Sequence, residues 1–267
     1  MKKLLLPTLF IISVICKGQD NLNYSLLNLD SIYRGNKGTF VLYDYHKDSY
    51  KIYNYETAKT EYSVQSTSKI FWSIIGLEEN LVKSENDVVK WDSLKYPRQN
   101  LLDKGWAKDQ TIITALNKSV NWYYFELLAL MTPEMVDKYL NSLDYKKGFM
   151  VERVHYFGLS YNIRKSAIAQ IDFLKRLYNN DLKISNKTLE IVKKGLVYQK
   201  TASYTLYIKT GHGPTDEENK VGWVIGFVEK GNDVYFFALN VIDKDIDKVG
   251  KLRIDYSMRI LKSLGMI

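Results

Sequence analysis

The apolar residues change period twice along the chain, and this limits the fold more than any other feature. Gly38-Thr-Phe-Val-Leu-Tyr-Asp-Tyr alternates and is rich in β-formers, and Ser49 to Tyr55 does the same after a polar break at Tyr45 to Asp48. This pattern predicts an antiparallel hairpin. From Ser66 to about Val82 the spacing becomes helical, with Ile70, Ile74, Ile75 and Leu77 on one side. A polar connection follows to Trp106, then helices over Lys108 to Leu116 and Trp122 to Met131, with Ser119 in the break between them. Pro133 opens another helix, through Leu143, at a first-turn position where a missing amide hydrogen costs little. Gly148 to Asn162 reads as irregular, and Ser166 to Tyr178 and Thr188 to Leu196 as amphipathic helices. The period then returns to two over Tyr204 to Lys209, Val221 to Glu229 and Val234 to Ile242, before a last helix from Arg253 to Leu264. Strands, then helices, then strands predict an α+β fold. The N-terminal hairpin must join the C-terminal strands in one antiparallel sheet, with a helical subdomain inserted between them.

Lys2 and Lys3 precede an apolar run from Leu4 to Ile15, too short to span a bilayer with its flanks. We expect residues 1–18 to be a signal peptide cut before Gln19, so that residues 19–267 form one exported, periplasmic domain. The alternatives are an uncleaved anchor and a lipoprotein acylated at Cys16, though Val14 and Ile15 leave no small residue just before that cysteine. The single Cys falls in this leader, so no disulfide or thiol chemistry is expected in the mature chain. Losing Lys2, Lys3 and Lys17 lowers the formal charge of +8 by three, and the remaining basic residues form no stripe. Nucleic-acid binding is therefore not expected. The 21 Tyr carry no functional reading, since tyrosine is a good strand former.

Three short motifs carry chemistry. Ser66-Thr67-Ser68-Lys69 opens a helix, and a spacing of three puts hydroxyl and amine on one face. A serine needs a nearby base, which a neutral lysine supplies. The helix start adds amide hydrogens suited to an oxyanion. Its plain alternative is an ordinary N-cap. Lys209-Thr210-Gly211 directly follows a strand; cation, hydroxyl and glycine can bind a carboxylate, and the backbone can pair with an amide substrate. Alone it is a strand ending in a polar turn. Ser119-Val120-Asn121, between two helices, offers a hydroxyl to relay protons, or simply an N-cap for the helix near Trp122. Together, in this order and separation, they match the motif set of the penicillin-recognising serine enzymes. The resemblance to that family implies no metal and no diffusible cofactor. His46 and His155 have no partner in a recognisable spacing.

The surrounding sequence resembles the class D (oxacillinase-type) β-lactamases. The likeness rests on Gly38-Thr-Phe-Val-Leu-Tyr-Asp, Lys90-Trp91-Asp, Ser119-Val-Asn-Trp-Tyr-Tyr, Leu206-Tyr-Ile-Lys-Thr-Gly, Gly222-Trp223 with Gly226, and Tyr235-Phe-Phe-Ala-Leu-Asn. It runs from about Asn23 to Ile267 and implies a β-lactamase/transpeptidase-like fold acting on small-molecule β-lactams. By resemblance, Ser66 would form the acyl-enzyme and Lys69, carbamylated by CO₂ in that class, would be the base. Ser119 would shuttle protons, and Lys209, Thr210 and Arg253 would hold the substrate. The amides of Ser66 and His212 would form the oxyanion hole beside Gly211.

Four departures bear on the lysine. Ser68 stands where the class has an aromatic, and Asn121 where it has valine. Tyr145-Lys146-Lys147 replaces a Tyr-Gly-Asn motif, and the loop tryptophan that donates to the carbamate has no counterpart, Tyr156 and Phe157 being nearest. An amine reacts with CO₂ only when neutral, which a dry pocket favours, and the carbamate then needs donors. Ser68 and Asn121 are expected to wet the pocket, with Asn121 and Tyr156 as candidate replacement donors. Acylation should survive, with deacylation slower or more dependent on bicarbonate. The alternatives are a penicillin receptor that stays acylated, a D-Ala-D-Ala peptidase, and a non-catalytic binding module.

Overall fold

The computed structural model describes residues 16–17, 22–143, 145, 163–216 and 218–267. The expected signal peptide, apart from residues 16–17, lies outside the described residues, as do Tyr156, Phe157, His155 and the irregular 148–162 segment.

The core is a sheet built from strands β1 (Cys16–Lys17), β2 (Asn23–Leu26), β3 (Lys37–Asp44), β4 (Ser49–Tyr53), β7 (Val197–Lys200), β8 (Thr205–Pro214), β9 (Lys220–Lys230) and β10 (Asp233–Asp243). Their order is β1-β2-β4-β3-β10-β9-β8-β7. The predicted junction is the β3–β10 pairing, with Phe40 opposite Leu239 and Leu42 opposite Phe237. The edge departs from expectation, because β2 adds to β4 in parallel. A small second pairing joins β5 (Tyr62–Ser63) to β6 (Arg164–Lys165).

Strand alternation serves two cores at once. Phe40, Leu42, Val224, Phe237 and Leu239 pack against α1 (Asp30–Tyr33) and the terminal helix α9 (Ile246–Ser263). Their neighbours Val41, Tyr43, Ile225, Phe236 and Ala238 face the inserted helices. Both faces are dry, so these strands tolerate apolar residues at consecutive positions. A short α2 (Tyr55–Lys59) leads into β5.

Between β5 and β7 lie α3 (Lys69–Glu78), α4 (Ile112–Lys118), α5 (Asn121–Ala129), α6 (Pro133–Ser142), α7 (Ala167–Tyr178) and α8 (Asn186–Leu196). Helix α3 differs from its sequence expectation. It is buried on every side from Lys69 to Leu77, and it begins at Lys69 after a 3-10 turn over Gln65–Ser68. A helix buried all round belongs at the centre of a bundle. Helix α4 starts later than Lys108 because Thr111 caps it, exchanging hydrogen bonds with Thr114.

Strand β8 also runs further than predicted. Lys209, Thr210, Gly211 and His212 lie inside it, paired with Ile225, Val224, Trp223 and Gly222 of β9. The motif is strand, not the turn after a strand. Close approach here has a cost elsewhere: a Cβ on Gly226 would overlap the carbonyl oxygen of Tyr207 and come within 3.0 Å of Ile208 Cα. Gly226→Ala is therefore expected to destabilise the protein by about 1–3 kcal/mol, read as a lower urea midpoint with unchanged slope.

Candidate active site

Ser66 sits in the 3-10 turn that joins β5 to α3. Thr67 closes this turn on Val64, its amide at 3.2 Å and its hydroxyl at 2.7 Å from that carbonyl. Ser68 was a candidate for wetting the pocket, and the structure corrects this. Its side chain is fully buried, donates to the Gln65 carbonyl at 2.8 Å and accepts from the Trp72 indole at 3.2 Å. Trp72, one helical turn on, covers the polar atom and keeps water out.

Lys69 lies one turn beyond Ser66 and is 6% exposed. Its Nζ reaches Ser66 Oγ at 3.0 Å, Ser119 Oγ at 3.2 Å, the Ser119 carbonyl at 3.1 Å and Asn121 Oδ1 at 2.6 Å. The Tyr124 ring stands 5.4 Å away, its hydroxyl held by Ser73 at 2.7 Å. Burial, and after it the charge of Lys209, push the Lys69 pKa well below the usual lysine value. A neutral amine within reach of a serine hydroxyl can accept its proton.

Ser119 is not an N-cap. It ends α4 in the left-handed conformation at φ 57°, and Val120 takes the cap position of α5 with no side-chain bond. That turn points both oxygens of Ser119 at Lys69. Asn121, expected as a donor to a carbamate, presents Oδ1 to the unmodified amine. Facing a carbamate, the Ser119 carbonyl offers no donor, whereas the Asn121 carboxamide turned over would present Nδ2. The groups as arranged suit an amine.

The second wall is β8. Strand β7 pairs with it only as far as Tyr207, so its edge beyond faces the turn bearing Ser66. Gly211 makes that approach, since a Cβ there would stand 2.9 Å from Ser66 N. Thr210, Gly211, His212 and Arg253 line one cleft of about 620 Å³ with Ser66, Lys69, Ser119 and Asn121. Lys209 is buried and does not line it; its Nζ donates to the Thr210 carbonyl at 3.1 Å. Burial, then Arg253, push the Lys209 pKa down to about 7. Burial alone lowers that of Arg253 to about 10, and its Nε has no hydrogen-bond partner among the described residues. Arg253 lies inside α9, which Asp245 caps so that it begins at Ile246, seven residues before the predicted start. A buried lysine and a half-buried arginine beside an open cleft attract an anion.

The motif residues thus converge, while the walls were not legible. Trp106, Leu102, Phe125 and Ile246 line the mouth. The first two sit in the stretch from Lys83 to Trp106, whose polar, aperiodic sequence reads only as a connection. Tyr124 was visible as a letter of the Ser119-Val-Asn-Trp-Tyr-Tyr run, but nothing in that run shows which tyrosine faces the lysine. Among the described residues no three His, Cys, Asp or Glu side chains are grouped to hold a metal, and no helix is long and apolar enough to cross a membrane.

A family model described as the penicillin binding protein transpeptidase domain matches residues 36–262. The chain is 31% identical to the methicillin resistance MecR1 protein of Staphylococcus aureus over 94% of its own length and 42% of that protein's. It therefore spans about two fifths of that relative. It is also 31% identical to the probable β-lactamase YbxI of Bacillus subtilis, over 93% of this chain and 89% of the relative. Among solved structures, a class D β-lactamase from Sebaldella termitidis superposes with a TM-score of 0.82 at 31% identity, covering 91% of this chain and 98% of the other. The chain belongs to the penicillin-binding transpeptidase-domain family and, within it, to the class D β-lactamase group.

Proposed function

We propose that this protein hydrolyses β-lactam antibiotics through an acyl-enzyme on Ser66, with Lys69 as a free-amine base. The observation that carries this reading is the contact of Lys69 Nζ with both Ser66 Oγ, at 3.0 Å, and Ser119 Oγ, at 3.2 Å, opposite the edge of β8. The substrate's carboxylate would sit by Thr210 and Arg253, with Lys209 charging the site from behind. Ser66 Oγ attacks the lactam carbonyl as its proton passes to Lys69. The carbonyl oxygen becomes an oxyanion held by the amides of Ser66 and His212. The ring C–N bond then breaks, and Ser119 carries the proton from Lys69 to the leaving nitrogen. Water releases the acyl group in a second step. The leader-like run at the N-terminus supports a periplasmic site of action.

That second step is slow on this reading. Two carbonyl-type acceptors and two hydroxyls already surround the Lys69 amine, which leaves few directions from which it can take a proton from the attacking water. The same contacts favour a second reading, a penicillin receptor that acylates and stays acylated. Intact mass followed over time after mixing with benzylpenicillin separates the two. Return to native mass with product release supports the hydrolase; an adduct that persists for hours supports the receptor. Turnover is expected to be unchanged by added bicarbonate, and a rise of tenfold or more would show that a carbamate forms after all.

The lysines also predict a pH profile. Acylation needs Lys69 neutral, so kcat/KM rises with pH as it loses its proton. Carboxylate binding is favoured by Lys209 in its charged form, which is lost as pH rises through about 7. A bell-shaped profile is expected, Lys69 setting one limb and Lys209 the other. Lys209→Arg should move that limb upward, because a guanidinium does not titrate there.

A further inference from the structure

We propose that Gln65 and Gly213 form a strap that sets the spacing of the oxyanion hole, making Gln65 a positioning residue for acylation. This rests on the acyl-enzyme reading above. The two amides of that hole belong to Ser66 and His212, which lie on separate segments with no covalent tie near the site. Gln65, next to Ser66, holds a left-handed backbone at φ 51°, a conformation unfavourable for a residue with a side chain. It is fixed there by its own carboxamide. Nε2 donates to Ser63 Oγ at 2.9 Å on one side and to the Pro214 carbonyl at 2.5 Å on the other. Pro214 is two residues past His212 in the same strand, so the bond spans the two halves of the hole. Ser63 is itself anchored, its amide donating to Thr215 Oγ1 at 3.0 Å and its carbonyl accepting from the Trp223 indole at 2.8 Å.

Gly213 supplies the second, independent observation. A Cβ there would stand 2.7 Å from Gln65 Cδ, inside van der Waals contact. Its backbone is not left-handed, so what glycine provides here is the space that the carboxamide occupies. Gly211 admits the backbone of Ser66, and Gly213 admits the side chain that holds it.

The test is the acylation rate per titrated active site with a fluorescent penicillin, resolved into a rate constant and a dissociation constant. Gln65→Ala is expected to slow the rate constant by roughly 10–100-fold, part of what a whole oxyanion donor is worth, with the dissociation constant within about twofold. Gln65→Asn tolerates the left-handed backbone but is too short to reach Pro214, and should show the same split. Gly213→Ala should match Gln65→Ala, and the double variant should be no slower than the worse single one. Acylation of the Gln65 variants at the wild-type rate, or losses that multiply in the double variant, would overturn the strap. A wild-type protein that takes no label overturns the acyl-enzyme reading and the strap with it.

Discussion

Replacing Lys69 by alanine is expected to slow acylation by penicillins by roughly 10³–10⁴-fold, the upper range for a positioned general base. The amine has no evident substitute. Ser119 Oγ relays a proton but is too weakly basic to take up a second one, and His212 belongs to the proposed site through its backbone amide. Stability should move little or rise, because the fold keeps this amine under a desolvation penalty that lowers its pKa. Stopped-flow acylation beside urea denaturation checks both halves. A variant that loses rate and stability together would mean that Lys69 holds the site in shape and does not act as its base.

Trp223→Ala should give the largest loss of stability. The indole is fully buried in β9 opposite Gly211, and its Nε1 donates to the Ser63 carbonyl at 2.8 Å. Removing a buried tryptophan costs about 3–5 kcal/mol. Losing the indole's hydrogen bond to that carbonyl adds about 0.5–1.5 kcal/mol. The damage should reach the site, because Ser63 anchors the turn that carries Ser66. Trp223→Phe fills most of the volume and loses only the bond, so its cost should stay near the second figure. Urea unfolding of both variants measures this, and an alanine variant within 1 kcal/mol of wild type would show that the indole is not an anchor.

Short-range periods and spacings were legible where local chemistry decides them. The alternation of Phe40 to Tyr43 reports a strand, and the Ser66–Lys69 spacing reports a shared face. What failed was decided by partners far away in sequence. Ser68 looks polar among its neighbours, yet Trp72 buries it. The Lys209 motif looks like a turn because it is polar, yet β9 holds it in the sheet residue for residue. The mouth built from Leu102 and Trp106 has no period at all, so nothing local marks it. The left-handed conformation of Gln65 is equally silent, since glutamine has no preference for it.

Rapid quenching of a benzylpenicillin reaction, followed by proteolysis and mass spectrometry, tests the central claim most directly. One equivalent of adduct confined to the peptide containing Ser66, and absent from Ser66→Ala, is the result predicted by a hydroxyl and a depressed-pKa amine meeting at the edge of β8. An adduct on another residue, or one that persists when Ser66 is replaced, would contradict it.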